Sequence, residues 1–282
     1  MKKKASNGFV ASFFRNRMAA VGLFALVAIV LFCVIAPIVS DQTYYEIDLN
    51  NLFGAPSHKH PLGLDNLGRD NMVRLAYGGM LTLRIAFTAG IISAVFGGLI
   101  GVISGFFGST LDFVIMRIID VLSSIPALLL AIITEYAFGW GEGNFMYGLA
   151  IAGIPNFAKL MRASVLDIMS NEYIEASRAL GAGSLRIIAR HIIRNVIAPF
   201  ALQSVTAIGD ALLMCTIMGY LEIGINPPKP EWGGLFRSGQ PYIRTRPFLP
   251  LLPTIAIVIT TLSLHFIGNG IRDAFGLTGG QE

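Results

Sequence analysis

Charge is what this chain has least of. Only 13% of its 282 residues are Asp, Glu, Lys or Arg, about half the share of a typical soluble domain, while 54% are hydrophobic and the mean hydropathy is +0.66. An ordinary water-soluble domain is excluded on that ground. Cysteine is nearly absent: Cys33 and Cys215 both fall in apolar runs, so there is neither a disulfide framework nor a thiolate metal site. The four histidines show no metal-ligand spacing beyond His58-Lys59-His60, which reads as a solvated loop ahead of Pro61, with a weak surface metal site as the lesser reading. The chain also lacks a GxxxxGK[ST] loop, HExxH, CxxC and GxSxG. No catalytic residue, cofactor site or metal site is expected, and if ATP drives this protein, another chain must bind the nucleotide.

What is present is a series of long apolar runs. Residues 18–39 carry no charge and are long enough to cross a hydrocarbon layer of ~30 Å as a helix. Further spans are expected at 85–111, 121–138, 145–158, 196–221 and 247–271, giving an all-α polytopic membrane protein with six transmembrane helices. The first run exceeds a signal-peptide core and lacks a small-x-small cleavage site, so it is read as a retained anchor. With the amino terminus inside, 13 of the 21 Lys and Arg residues fall on inner segments, which places both termini in the cytoplasm. The pI near 9.2 then reports orientation in membrane lipid, and no nucleic-acid partner is expected.

Within the spans, Gly97, Gly101 and Gly105 are four apart, a spacing that lets one helix approach another backbone to backbone. Pro126, Pro155, Pro250 and Pro253 interrupt helical hydrogen bonding; gating kinks and plain packing features both account for them. Asp210 is the one acid deep in a span, and its cost there predicts that it faces another helix or a watery cavity. A pathway contact and a buried interhelical hydrogen bond both remain open. Glu135 and Glu222, near outer ends, are expected to be solvated.

One charged island interrupts the apolar chain. Residues 171–199, NEYIEASRALGAGSLRIIARHIIRNVIAP, carry Glu172, Glu175, Arg178, Arg186, Arg190, His191 and Arg194. Tyr173, Ile174, Ser177 and Leu180 recur at helical spacing, Gly181 can close the first short helix, and Ser184 can cap a second. A helical elbow of this kind belongs on an aqueous face, where it is offered to a soluble partner.

Several motifs together resemble one family. FFRNR from Phe13, HPLGLDNLGRDNMVRLAYGG (60–79), GFFGSTLDFVIMRIIDVLSSIPALLLAI (105–132), the elbow, NPPKPEWG (226–233) and GNGIRDAFG (268–276) follow in order over nearly the whole chain. They resemble the C-type permease subunit of ABC importers for dipeptides, oligopeptides and nickel. The resemblance implies a type I importer fold in a bacterial or archaeal plasma membrane. A second related permease, two cytoplasmic ATPase subunits, an extracytoplasmic binding protein and a peptide substrate are its implied partners. It also implies that Glu175, Ala176 and Ser177 occupy the EAA positions and Gly181 the motif's glycine. Tyr173, Glu175, Ala176, Ser177, Arg178, Leu180 and Gly181 would then couple to an ATPase, with Glu175 and Arg178 also holding the elbow together by polar contacts.

This reading divides the chain into a cytoplasmic segment at 1–17, a first helix with its outer loop at 18–78, and a permease core at 79–282. The coupling segment lies at 167–195. Ser177 stands for the second alanine of EAA. Arg194 stands where the family commonly has proline, so the helix is expected to continue through it. Asp210 falls where glycine is usual and Cys215 where many members carry glutamate, as though the acid had moved along the helix. Asn269 and Gly276 replace aspartates common in the tail. Nickel or another small solute is the alternative cargo. An ion-gradient-driven secondary transporter, with Asp210, His265 or Glu135 titrating, is the alternative from another class, and a membrane anchor or sensor a third.

Overall fold

The structure, a computed structural model, describes residues 9–139 and 141–276. Lys2, Lys3 and Lys4, counted above with the inner basic residues, lie outside the described residues. All regular structure among the described residues is helical, apart from one isolated bridge between Leu64 and Asp70.

A short helix α1 (Phe9–Arg15) leads into α2 (Arg17–Val39). Asn16 starts α2 by accepting from the Met18 and Ala19 N–H groups at 3.0 and 3.1 Å. An irregular outer segment follows. Asp70 then caps α3 (Asn71–Phe107), accepting from Val73 N–H at 2.9 Å. Of the span expected at 85–111, residues 85–107 are the second part of a 37-residue helix, about 55 Å long, and the last four turn at Gly108 into the next helix. Its polar start, with Asn71 and Arg74, had concealed the first turns from a reading based on apolar runs.

The third span is not one helix. α4 (Ser109–Ser124) and α5 (Ala127–Phe138) meet at 96° across Ile125-Pro126. Proline disfavours a helical conformation at the residue before it, and Ile125 is extended here (φ −88°, ψ 127°), so the span is broken at Pro126 rather than kinked. At about 18 Å, the twelve-residue α5 is too short to cross alone. α6 (Glu142–Met169), the elbow helices α7 (Glu172–Ala179) and α8 (Ser184–Ile187), and α9 (Ile193–Tyr220) follow. The segment after α9 then holds α10 (Trp232–Gly239), and α11 (Phe248–Phe275) is the last helix among the described residues. Among the described residues, five helices are long and apolar enough to span a membrane, and the bent pair taken as one makes the sixth.

α3 is central, with α6 and α9 against it. A Cβ at Gly97 would stand 2.7 Å from the Phe157 Cβ, one at Gly101 2.7 Å from the Met161 Cβ, and one at Gly105 2.9 Å from the Val165 Cβ. The glycine spacing is thus the groove that receives α6. α2 lies outside this core against α11, and Asn16 Nδ2 donates to the Asp273 carboxylate at 2.7 Å, which brings the two ends of the described chain together. Two apolar clusters fill the bundle. One, around Phe145, Leu212, Met218 and Trp232, lies at the end that carries α10; the other, around Phe106, Phe157, Met161, Ile174 and Ile187, lies at the elbow end.

Candidate functional site

The elbow is built where α6 runs out. Asn171 Nδ2 donates to the Asp167 and Ile168 carbonyls at 2.9 and 3.0 Å, turning the chain into α7. At the other end of α7, Gly181 N–H donates to Arg178 O at 2.9 Å and Ala182 N–H to Ser177 O at 3.0 Å, the paired bonds of a Schellman motif. Gly181 sits at φ +83°, so the glycine closes the helix as the sequence predicts. Ser184 does not cap: Gly183 is the residue before α8, and no side-chain cap bond forms there. A π-type turn at Ile188–Ile192 joins α8 to α9, and the helix runs on through Arg194 and Pro199.

Ile174 alone of the α7 side chains is buried, and it anchors the helix on the inner cluster. Tyr173 lies 5.8 Å from the His191 ring, and its hydroxyl accepts from Asn195 Nδ2 at 3.4 Å. Ser177 donates back to Tyr173 O at 2.8 Å. The expected polar contacts of Glu175 and Arg178 do not hold the elbow together. Neither forms an ion pair among the described residues, and Arg178 instead lies over the Phe106 ring at 6.0 Å. Both are on the solvent side of a two-turn helix, where such a pair contributes little and the buried isoleucine contributes more. Glu175, Ala176 and Arg178 are exposed, Leu180 is 89% exposed, and Leu185 is 84% exposed.

Asp210 is exposed and makes no side-chain hydrogen bond among the described residues. It opens into a cavity of about 290 Å³ between α3, α6 and α9, which also reaches Ala127, the first residue of α5. Asn156 and Gln203 line the same cavity. Cys215 points elsewhere: it is buried, with its Sγ 3.9 Å from Glu231 Oε1. Five residues on a helix separate the two positions by about 140°, so Asp210 and Cys215 face different neighbours.

Glu135 corrects a second expectation. It is wholly buried in α5, and neither carboxylate oxygen has a hydrogen-bond partner. Closeness to the end of an apolar run reports depth and not the direction a side chain faces. Glu222 is solvated as expected, 3.6 Å from Arg237.

The residue that sequence reasoning missed is Glu231. Its Oε2 accepts from Gly234 N–H at 3.0 Å, starting α10, and its Oε1 accepts from Thr82 Oγ1 at 3.1 Å. Burial pushes its carboxyl above the ordinary 4.5, against the opposing pull of those hydrogen bonds. Trp232 next to it donates from Nε1 to Leu75 O at 3.0 Å, tying the outer segment to α3. An acid just ahead of Trp-Gly-Gly was the available signal for this cap. His60 is structural: its Nδ1 lies 2.8 Å from Asp70 Oδ2. No group of three potential metal-ligating side chains occurs among the described residues. Arg69, Arg74, Lys229, Arg237 and Glu222 rim a cleft of about 580 Å³ beside α10, at the end of the bundle away from the elbow.

Comparison with known proteins adds to this geometry. The family described as binding-protein-dependent transport system inner membrane component matches residues 97–276, and the N-terminal TM domain of oligopeptide transport permease C matches residues 8–60. The dipeptide transport system permease protein DppC of Alkalihalophilus pseudofirmus is 34% identical over 92% of this chain and 86% of its own length. The di/tripeptide permease DppC of Pseudomonas aeruginosa is 34% identical over 94% of this chain and 90% of its own length. The oligopeptide permease OppC of Bacillus subtilis is 32% identical over 92% and 85%. A chain of the inward-facing MetNI methionine ABC transporter shares the fold, with a TM-score of 0.61 and 21% identity over 74% of this chain and 98% of that one.

Proposed function

Since this chain belongs to the family of binding-protein-dependent transport system inner membrane components, we propose that it forms half of an ATP-driven pathway for di- or oligopeptides and takes its drive through α7. A second related permease supplies the other half, two cytoplasmic ATPases dock at the elbow, and an extracytoplasmic binding protein delivers cargo at the opposite face. Peptide cargo follows from the relatives, whose names specify dipeptide, di/tripeptide and oligopeptide transport. Both chain termini and the elbow lie in the cytoplasm of a bacterial or archaeal cell. The charged rim of the outer cleft suits a polar, reversible contact with a delivering protein.

The observation that supports coupling most directly is the form of α7. One buried isoleucine roots the helix, while Tyr173, Glu175, Ala176, Arg178 and Leu180 are turned outward at the end of the bundle that carries the two ends of the described chain. A short, rooted helix with an outward apolar tip fits a groove in a partner and moves as a unit when that groove moves. ATPase closure would displace α7, strain the inner cluster around Ile174, and shift α6 and α9 with it.

Leu180→Asp tests the docking and Gly181→Trp the turn. Leu180 makes little contact within this chain, so the melting temperature of Leu180→Asp should stay within 1–2 °C of the parent while transport-coupled ATP hydrolysis falls about tenfold or more (a surface change, about 0.5 kcal/mol or less). Full uptake by Gly181→Trp together with unaltered coupling in Leu180→Asp would remove the role of α7. Recovery of the tagged chain without Walker-motif subunits, under detergent conditions that preserve a control ABC complex, would remove the ATPase partners.

A further inference from the structure

Resting on the peptide-permease reading, we propose that the cavity at Asp210 seats the first residue of the peptide, with its ammonium on Asp210 and its first amide on Asn156 and Gln203. Charge sets the direction. Among the described residues Asp210 is the sole charged side chain lining the cavity, so the site attracts the amino end of a peptide and offers no cation to the carboxylate at the other end. The polar groups are free of hydrogen bonds, although the His265 side chain on α11 acts electrostatically on Asp210 from outside the cavity lining. Asp210, Asn156 and Gln203 make no side-chain hydrogen bond among the described residues, whereas Ser93, which also lines the cavity, is bonded to Ala89 O at 2.9 Å and Ala150 O at 2.7 Å.

An amide side chain supplies one acceptor and two donor hydrogens, which match the N–H and C=O of a peptide group. The remaining wall is apolar and includes Leu213, Met214 and Ile217. An unbranched methionine adjusts to different side chains, so the site can hold the backbone firmly and remain tolerant of the first residue's identity. At about 290 Å³ the cavity is at the small end of ligand sites, with room for one residue and its peptide group rather than an oligopeptide. One carboxylate with two amide oxygens is, by contrast, a poor oxygen shell for a bare divalent cation, which takes six or more ligands.

The test uses the complete transporter, copurified with its partner subunits, reconstituted with its binding protein and irradiated during ATP-driven uptake. Two photoreactive tripeptides are compared, benzoylphenylalanyl-Ala-Ala and Ala-Ala-benzoylphenylalanine, with Ala-Ala-Ala uptake as the functional control. The first probe should crosslink to Leu149, Leu213, Met214 or Ile217, and the second should label these walls at least fivefold less. Asp210→Asn should reduce the first crosslink about tenfold, and Asp210→Glu should restore most of it. Equal labelling of these walls by both probes in the parent protein overturns the orientation whatever the variants do, as does an Asp210→Asn crosslink at parental yield. Absence of Ala-Ala-Ala uptake by the parent complex overturns the peptide reading itself and this inference with it. Uptake with undirected labelling overturns this inference alone.

Discussion

Glu231 shows how much one side chain joins. It caps α10, accepts from Thr82 on α3 and approaches Cys215 on α9, so three helices meet at one carboxylate. Its raised pKa has a definite consequence for stability. The folded state retains the proton at pH values where the unfolded chain, titrating near 4.5, has released it. The stability that Glu231 contributes is therefore greatest below that value and declines as the pH rises toward the folded pKa. Glu231→Gln removes this slope while keeping an acceptor for Gly234 N–H. Its melting temperature should accordingly gain on the parent's as the pH is raised from 4 to 8, and a pH-independent difference would contradict the assignment. Glu231→Ala leaves the buried Gly234 and Thr82 donors without their partner and should cost about 1–3 kcal/mol in chemical denaturation.

The α3–α6 contact governs the bundle at the level of elements. A side chain at Gly101 would meet Ala158 O at 2.5 Å, Met161 Cβ at 2.7 Å and Arg162 N at 2.8 Å, and two of these atoms are backbone that cannot turn aside. Gly101→Leu should destabilise the protein by about 1–3 kcal/mol or more. Gly209→Ala is the control, because its nearest neighbour outside its own helix is 3.9 Å away, and it should melt close to the parent. Equal melting of the two variants would refute the packing argument. This groove was legible in the sequence because a four-residue glycine spacing has one strong physical reading. The elbow was legible as well, since a charged island between apolar runs has few places to go and Gly181 marks where its helix ends. The 96° break was not: Pro126 signals an interruption, and only the neighbours of α5 decide whether the chain bends or snaps there. α1 and α10 escaped notice because helices of seven and eight residues show too little periodicity to be recognised. Glu135 was misread because a side chain's facing depends on helices far away in sequence.

For the whole molecule, orientation is the property that every other assignment depends on. Both native cysteines are buried, so they are silent to a membrane-impermeant maleimide. Ser57→Cys, in the segment between α2 and α3, and Leu185→Cys, beside the elbow, therefore report opposite faces without removal of Cys33 or Cys215. In intact spheroplasts Ser57→Cys should react, and Leu185→Cys should react only after permeabilisation. The reverse order would invert the topology and set the elbow against the wrong compartment for an ATPase.

The length of α3 has a mechanical consequence. Its first turns are fixed in the outer network through Asp70 and Arg74, and its last carry Phe106, which underlies Arg178 of the elbow. No proline and no helix break lies between them. A rod about 55 Å long without a joint turns a small torque at one end into displacement at the other: a tilt of about 5° about its middle carries each end about 2 Å. A helix of that length without a joint ties the Asp70 end of the bundle mechanically to the end that carries the elbow.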